Sequence, residues 1–356
     1  MNTKRFFLIG TLLIVGFFGF AKGAFALTVS PARLEIDGNP GSQLKMDIVL
    51  TNDKDENQTF YSSYANFEAQ GESGTPNFVE NKEGLATWMS VPQTVTLTPF
   101  ETKTIPLVIN IPASADPGGH FSALFWSTQP GKTDNGTQVA IGAKLGILVL
   151  LRVNGEINED GSILNFETRN GVKKYEALPV VFTYRFNNSG NDRVKPTGSI
   201  VIKNIFGMKS KVIDGNPNQG NVLPKSVRRF ETAWTKGNTN YGDEVEMMPM
   251  GFWEKVSYEW KNFAFGKYTA TLTLTYTSKK LVDSATTSFY VFPWHLLLVV
   301  LAVLVVIWFI FRKILMAYNR MLIAQVREKI EEEIEEKLEK KQEDHQSTKK
   351  HTRPRV

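Results

Sequence analysis

The sequence predicts an all-β exported region of two tandem immunoglobulin-like β-sandwiches, followed by one transmembrane helix and a short cytoplasmic helix. Three observations lead to this fold class. Apolar segments bracket the chain at its two ends, and alternating apolar and polar residues fill the part between them, separated by Gly, Pro, Asn and Asp clusters. The same order of strands and turns also occurs twice, which indicates two related units.

The first element is a signal peptide over residues 1–26. Lys4 and Arg5 precede an apolar run that ends at Phe20, and Ala24 and Ala26 form the small-x-small pattern of a cleavage site. The run is too short for an uncleaved membrane anchor. We therefore expect the mature protein to start near Leu27, outside the cytoplasm.

Two sandwiches are predicted, over residues 27–154 and 155–290, each made of short strands with turn signals between them. A buried strand is expected over 142–153, where the chain is almost continuously apolar. The repeat rests on matched landmarks in the two halves: a polar turn after a strand, a proline-marked turn, and a glycine that opens a strand. These landmarks are Asn52 and Asn188, Pro99 and Pro224, and Gly118 and Gly266. Because the linker at Asn154 and Gly155 is short, we expect a semi-rigid stalk.

A transmembrane helix is predicted over residues 291–311, where His295 is the one potentially charged residue. Such a length spans about 30 Å of hydrocarbon. Trp294 and Trp308 would anchor the two interfaces, and Arg312 and Lys313 follow as the positive-inside rule requires of a cytoplasmic flank. A buried core helix is the alternative, which the apolar character of all helix faces disfavours. We expect a single-pass protein of the cell membrane with its N-terminus outside.

Residues 312–341 predict a charged cytoplasmic helix with a narrow apolar stripe, and residues 342–356 predict a disordered tail. The apolar residues of the stripe recur every four residues. Because this spacing drifts around an α-helix, it does not support a long coiled coil. Weak self-association through this helix stays open. Its members are Leu322, Val326, Ile330, Ile334 and Leu338.

Composition excludes several function classes. The net charge of +5 comes from the two termini, so the exported region is nearly neutral and we expect no nucleic-acid partner. The chain has no cysteine and therefore no disulfides. His120 is the only histidine in the predicted exported region, and Asp53, Asp55 and Asn57 imitate an EF-hand that fails at Gln58. We expect no enzyme, no catalytic residue, no cofactor and no metal.

Candidates for binding lie in the insertion between Trp234 and Gly266, which is rich in flexible and aromatic side chains. The insertion is predicted to contact a partner or to rest on the membrane; the alternative is that it plugs the open end of the second sandwich. Its candidate residues are Met247, Met248, Met250, Phe252, Trp253, Tyr258 and Trp260. Aromatic residues of the first sandwich form a second candidate, a glycan platform, with core packing as the alternative. They are Tyr61, Tyr64, Phe67, Trp88 and Trp126.

Four segments together resemble the WxL-interacting cell-surface proteins and, more distantly, the pilus-chaperone type of sandwich. They are 27–33, 47–52, 95–104 and 117–121. The first resemblance implies that the first sandwich binds peptidoglycan and that the second binds a partner surface protein.

The expected function is that of a non-enzymatic single-span surface protein that binds cell-wall peptidoglycan, another surface protein, or both. The alternative is a membrane-tethered chaperone or assembly factor for exported proteins. In either case a sandwich edge can recruit a strand from the partner.

Overall fold

A computed structural model of the protein describes residues 27–79, 83–129, 144–237, 250–277 and 280–350, without the side chains of 339 and 342–350. The predicted signal peptide lies outside the described residues. The chain divides into two compact units. Unit 1 takes in the described residues up to Lys173 with Val180–Trp234 and Lys267–Phe289, and unit 2 takes in Lys174–Pro179, the insertion up to Gly266 and the chain from Tyr290 onward.

The first half of unit 1 contains two sheets that face each other. One has the strand order β1-β3-β8-β6, and the other has the order β2-β10-β9-β4-β5, with β7 also paired to β4. A one-turn helix, α1, lies between β5 and β6. The elements are β1 Thr28–Ser30, β2 Arg33–Gly38, β3 Gln43–Thr51, β4 Gln58–Ala69, β5 Pro76–Val79, α1 Leu85–Trp88, β6 Met89–Ser90, β7 Thr94–Leu97, β8 Thr102–Asn110, β9 Gly118–Ser127 and β10 Lys144–Val153.

The core of this half follows from the period of two along each strand. Ile48 and Leu50 of β3 and Val149 and Leu151 of β10 point inward and pack around Trp126. The other face of β10 is covered as well, because Leu148 and Leu150 join a second apolar cluster with Phe67. The sequence predicts burial on both faces over 142–153, but the structure shows it only from Ile147 onward: Leu145 is 41% exposed, and 142 and 143 lie outside the described residues.

The second half of unit 1 also has two sheets, with the orders β11-β13-β16 and β18-β17-β14-β15. An aromatic core joins them: the rings of Trp234 and Phe289 lie 6.1 Å apart, and those of Phe182 and Phe289 lie 5.5 Å apart. The elements of this part of the chain are β11 Gly161–Thr168, β12 Lys174–Tyr175, β13 Val180–Asn188, β14 Thr197–Asn204, β15 Lys209–Asp214, β16 Ser226–Trp234, β17 Gly266–Tyr276 and β18 Leu281–Val291. The described chain up to Val291 is thus mostly β, with sandwich-like sheets. The immunoglobulin-like assignment of each half stays a prediction.

A buried asparagine occupies the same place in the two halves. The Asn52 side chain donates to the carbonyls of Glu56 and Thr98, at 2.8 and 2.9 Å, and accepts from the N–H of Lys54 at 3.1 Å. Asn188 makes the same pattern: it donates to the carbonyls of Asp192 and Val222, at 2.7 and 2.9 Å, and accepts from Gly190 N–H at 3.0 Å. Both are 0% exposed. In both halves the asparagine side chain therefore has the same role. It supplies hydrogen-bond partners to backbone groups of the turn that would otherwise be buried without them.

Unit 2 contains two helices, α2 Phe252–Lys261 and α3 Trp294–Lys350. Strand β12 runs parallel to the last two residues of β18, Tyr290 and Val291. The sequence does not predict α2. Helix α3 includes a segment that is long and apolar enough to cross a membrane.

The bounds of α3 differ from the predicted elements at both ends. It begins at Trp294 rather than at residue 291, because Val291 still pairs in β18 and Pro293 precedes the helix. Proline is well tolerated at a helix start and restricts the conformation of the residue before it. The helix also continues past 341 to Lys350 without a break, in a stretch rich in the helix formers Lys, Glu and Gln.

Replacing either buried asparagine by alanine is expected to lower the free energy of unfolding by roughly 3 kcal/mol, since each change leaves buried backbone groups without partners. Asn52→Ala and Asn188→Ala are compared by thermal unfolding of the detergent-solubilised protein, followed by circular dichroism. Asn57→Ala, at an exposed turn position, is the control and should match the wild type. If both Asn52→Ala and Asn188→Ala melted at the wild-type temperature, the equivalent structural role of the two asparagines would be contradicted.

Candidate functional site

The predicted partner-binding residues lie on or near α2, to the extent that the structure describes them. Met247 and Met248 are outside the described residues, and Met250 is half-buried just before the helix. Trp253 and Trp260 are exposed by 71% and 68%, which excludes core packing for these two side chains. Tyr258 instead donates its hydroxyl to the carbonyl of Leu178 at 3.0 Å and helps to hold the helix in place. Phe252, at the start of α2, is 40% exposed.

The aromatic candidates of the first sandwich serve mainly its packing. Trp126 is fully buried and Phe67 nearly so, and the Tyr64 hydroxyl accepts from the N–H of Val91 at 2.9 Å. Trp88 packs against the same core as Trp126. For these residues the structure favours the core-packing alternative over a glycan platform.

His120 has the surroundings of a turn residue. Its Nε2 lies 2.8 Å from the carbonyl oxygen of Asp116, and its ring is 4.7 Å from that of Trp88. The hydrogen-bond partner is a backbone carbonyl rather than the carboxylate or hydroxyl that a catalytic histidine would use.

A small cleft of about 70 Å³ lies between the two halves of unit 1. One wall is the outer face of the β4-β9-β10 sheet, where Phe67, Leu148 and Leu150 line the cavity. Leu223 of the second half forms the opposite wall, and the turn between β4 and β5 closes one side. The cleft is therefore a narrow, mostly apolar space between a sheet of the first half and the second half.

Two arginines line this cleft, and the Nε of one of them, Arg33, lies 3.1 Å from the carboxylate of Glu35. Arg33 is the first residue of β2 and Arg228 lies on β16, and both line the cleft. Arg228 donates to the carbonyl of Asn221 at 2.7 Å, while its buried Nε has no hydrogen-bond partner among the described residues. Burial lowers the pKa of Arg228 below its ordinary value, and the like charge of Arg33 lowers it further, against an opposing effect of Tyr184. An anion in the cleft would relieve both costs.

An open strand edge leads into the cleft. Strand β2 pairs in parallel with β10 only from Leu148 onward, where Leu148 lies opposite Arg33. In the described part of the chain no strand pairs with this side of β10 over residues 144–147. The N–H of Leu148 donates to Ala32 on the β2 side. By the period of two along a strand, the backbone groups of Gly146 and Lys144 point to the same side and face the open edge.

The two halves are joined around the cleft by polar contacts. Glu35 of β2 accepts from Lys195 and from Asn221, each at 2.8 Å, and both donors belong to the second half. Both carboxylate oxygens of Glu72 accept from Arg185, with the Nε at 2.8 Å. Burial alone would raise the pKa of Glu35, but the hydrogen bonds from Lys195 and Asn221, together with the positive charges of Lys195 and Arg33, outweigh burial and hold the pKa below its usual range.

Unit 2 contains a polar cluster at the start of α3, in which Glu259 and His295 are buried and Glu176 is exposed. Ligand atoms of Glu176, Glu259 and His295 lie within 4.8 Å of one another, an arrangement that can hold a metal ion. Each is, however, already bonded within the protein: His295 Nδ1 lies 2.6 Å from Glu259 Oε1, the Leu296 N–H donates to Glu259 Oε2 at 2.7 Å, and Trp294 Nε1 donates to Glu176 at 3.0 Å. These bonds explain the cluster as the attachment of α2 to α3.

The predicted membrane-flank residues lie along α3. Trp294 is the first residue of the helix, and Trp308 lies fourteen residues further along it, with the Arg312 guanidinium 5.6 Å from its ring. Lys313 follows in the same helix. Their side of the membrane stays a prediction.

Sequence reasoning did not identify Arg33 and Arg228 as site residues. Arg33 belongs to a strand that alternates charged and apolar residues, Arg33-Leu34-Glu35-Ile36-Asp37, which is the one local signal that its charged face meets another surface. Arg228 carries no such signal. Only the packing of the two halves brings these distant residues to one cleft.

No protein-family model matches the chain, and no curated protein matches it in sequence. Similar solved structures include the class 5 fimbriae chaperone CfaA, at 12% identity and a TM-score of 0.36, covering 74% of this chain and 98% of that one. The Escherichia coli chaperone DraB matches at 11% identity and a TM-score of 0.33, covering 75% and 95%. The Salmonella enterica SafA pilin in complex with the SafB chaperone matches at 7% identity and a TM-score of 0.30, covering 76% and 99%.

These TM-scores are all below 0.5, and the resemblance to the pilus-chaperone type of sandwich stays an expectation. The resemblance to WxL-interacting proteins, and the peptidoglycan binding that it implies, find no support.

Acid is expected to weaken the contact between the two halves. Because the folded-state pKa of Glu35 is depressed, its contribution to stability is fully present above the unfolded-state pKa of about 4.3 and is lost as the pH falls through the lower folded-state value. Glu35→Gln should therefore melt below the wild type at neutral pH and approach it at about pH 3. Melting temperatures measured across this range check the prediction.

The control for this titration is Glu156→Gln, which changes an exposed carboxylate. A Glu35→Gln curve that stays parallel to the wild-type curve down to low pH would contradict the assignment.

Proposed function

We propose that this protein is a non-enzymatic, membrane-tethered chaperone or assembly factor that binds extended segments of exported proteins. The observation that carries the proposal is the open edge of β10 at residues 144–147, which ends at an apolar cleft with two arginines. Each part alone is common in β proteins. Their continuity makes a site for a strand with a charged end.

The edge supplies affinity that depends little on client sequence. An added strand hydrogen-bonds to backbone groups of Gly146 and Lys144, and alternate side chains of the client face the sheet. Leu145, exposed by 41%, offers apolar contact beside this edge.

The cleft fixes the direction in which the client strand binds. A client strand that runs parallel to β10 would occupy the row that β2 continues, so its C-terminal end would arrive at Arg33. A guanidinium binds a carboxylate through two parallel hydrogen bonds, and the pair is stronger in a partly buried site. The C-terminal carboxylate of the client would therefore lie between Arg33 and Arg228, with its last apolar side chain against Leu148 and Leu150.

The remaining features fit a tether. The signal peptide would export the two β halves, and the apolar segment of α3 would hold them at the outer face of the cell membrane with the C-terminus in the cytoplasm. The contact between the halves, made by Glu35 and Glu72, keeps both walls of the cleft in place. A surface protein that captures a folded partner protein through the α2 region is the second candidate, since Trp253 and Trp260 are exposed.

Removing either arginine is expected to weaken binding of a peptide with a free C-terminal carboxylate by at least about tenfold, because a charge-assisted pair is lost. The probe is a fluorescent peptide of alternating valine and threonine, tested by anisotropy on the full-length protein. Arg33→Ala and Arg228→Ala should lose affinity. The same peptide with an amidated C-terminus should bind weakly to every form.

The matched control is Arg229→Ala, which removes the exposed arginine next to Arg228. Its affinity should equal that of the wild type. Equal binding of the free and amidated peptides to the wild type would reject the carboxylate role of the cleft.

Blocking the open edge is expected to reduce binding of both peptides. Lys144→Pro removes an N–H that faces the open side, while the first residue of a strand tolerates proline without loss of the β9 ladder. Lys144→Ala, which keeps the N–H, is the control for the lost side chain. If both variants bind as the wild type does, the client does not add to this edge.

A further inference from the structure

Helix α2 has one face of exposed aromatic residues. Trp253 and Trp260 are seven residues apart and therefore lie on the same face, and both are largely exposed. Phe252 and Phe263 extend this apolar arc toward the buried side, where Glu259 is only 2% exposed. The polar residues Glu254 and Lys261 lie about 100° around the helix from the tryptophans.

Glu259 fastens α2 to the first turn of α3. One of its oxygens accepts from the backbone N–H of Leu296 and the other bonds His295, so its carboxylate pairs the N-terminal groups of the long apolar helix. A negative charge is also favourable at a helix N-terminus. Consequently α2 is fixed at the end of α3 where the apolar segment begins.

Further exposed aromatic residues lie at this same end of unit 2. Phe265 and Phe292 have ring centroids 6.0 Å apart, and Trp294 begins α3. All three are between 43% and 55% exposed. Aromatic side chains collect in this manner where a protein meets the interface between lipid and water.

We propose that α2 is an in-plane membrane helix, with its Trp253 and Trp260 face set into the headgroup region of the lipid bilayer. The occupant is lipid rather than protein because the face is continuous with the apolar start of α3, which the proposed span places at the same depth. Tryptophan suits this position, since its ring is apolar and its N–H can bond headgroups. The inference rests on the membrane span of the proposed function and not on client binding.

Depth measurements on single spin labels test this inference. Because the natural chain has no cysteine, Trp253→Cys, Trp260→Cys and Lys261→Cys each give one labelling site. The full-length protein is placed one copy per nanodisc in phosphatidylcholine and phosphatidylglycerol. Labels at 253 and 260 should be severalfold more accessible to oxygen, relative to a water-soluble nickel complex, than the label at 261.

Leu304→Cys, in the middle of the predicted span, reports the span separately and should give the deepest label. A deep label at 304 with water-exposed labels at 253 and 260 would overturn the in-plane helix, leave the span intact and return this face to a protein partner. A water-exposed label at 304 would overturn the span and the inference together, while the peptide-binding experiments would still stand or fail by themselves.

Glu259→Ala tests the attachment. The label at 260 should become more mobile, while the depth of the label at 304 stays unchanged. Unaltered mobility at 260 would contradict a positioning role for Glu259.

Discussion

Strand β2 is the element on which the rest of unit 1 depends, because it sits at the edge of a sheet and both of its faces are in use. Leu34 and Ile36 pack into the first core, while Glu35 points outward and bonds the second half. Parallel pairing with β10 fixes the register, so the charged and apolar sets cannot exchange faces. The late start of β2 at Arg33 also creates the open edge and places a guanidinium at its end.

The contact between the halves is both apolar and polar. Leu223 of the second half packs against the cluster of Phe67 and Leu150, and ion pairs such as Glu72 with Arg185 join the halves beside it. Arg228 is partly buried, and burial and the like charge of Arg33 lower its pKa. Its guanidinium nevertheless donates to the carbonyl of Asn221 and lies 5.1 Å from the Phe230 ring.

Unit 2 shows how a polar cluster can imitate a metal site. Glu176, Glu259 and His295 have the residue types and spacing of ligands, yet each of their bonds has a structural purpose. Burying a carboxylate at the start of an apolar helix is energetically unfavourable, and the bonds of Glu259 to the N–H of Leu296 and to the His295 ring offset this cost. The same bonds that hide the charge also set the position of α2, so attachment and charge compensation are one feature.

Local pattern was enough to predict most of the strands, the burial of β10 from Ile147 onward, the paired turns at Asn52 and Asn188 and the apolar segment of α3, because each depends on residues near one another in the chain. Sequence missed α2, whose ten residues carry a weak amphipathic pattern inside a long insertion and whose stability comes from Glu259 and Tyr258 contacts. It also gave no reason to connect Arg33 with Arg228. Burial, register and charge proximity between distant segments arise only when the sheets pack, and that packing alone decided the open edge and the cleft.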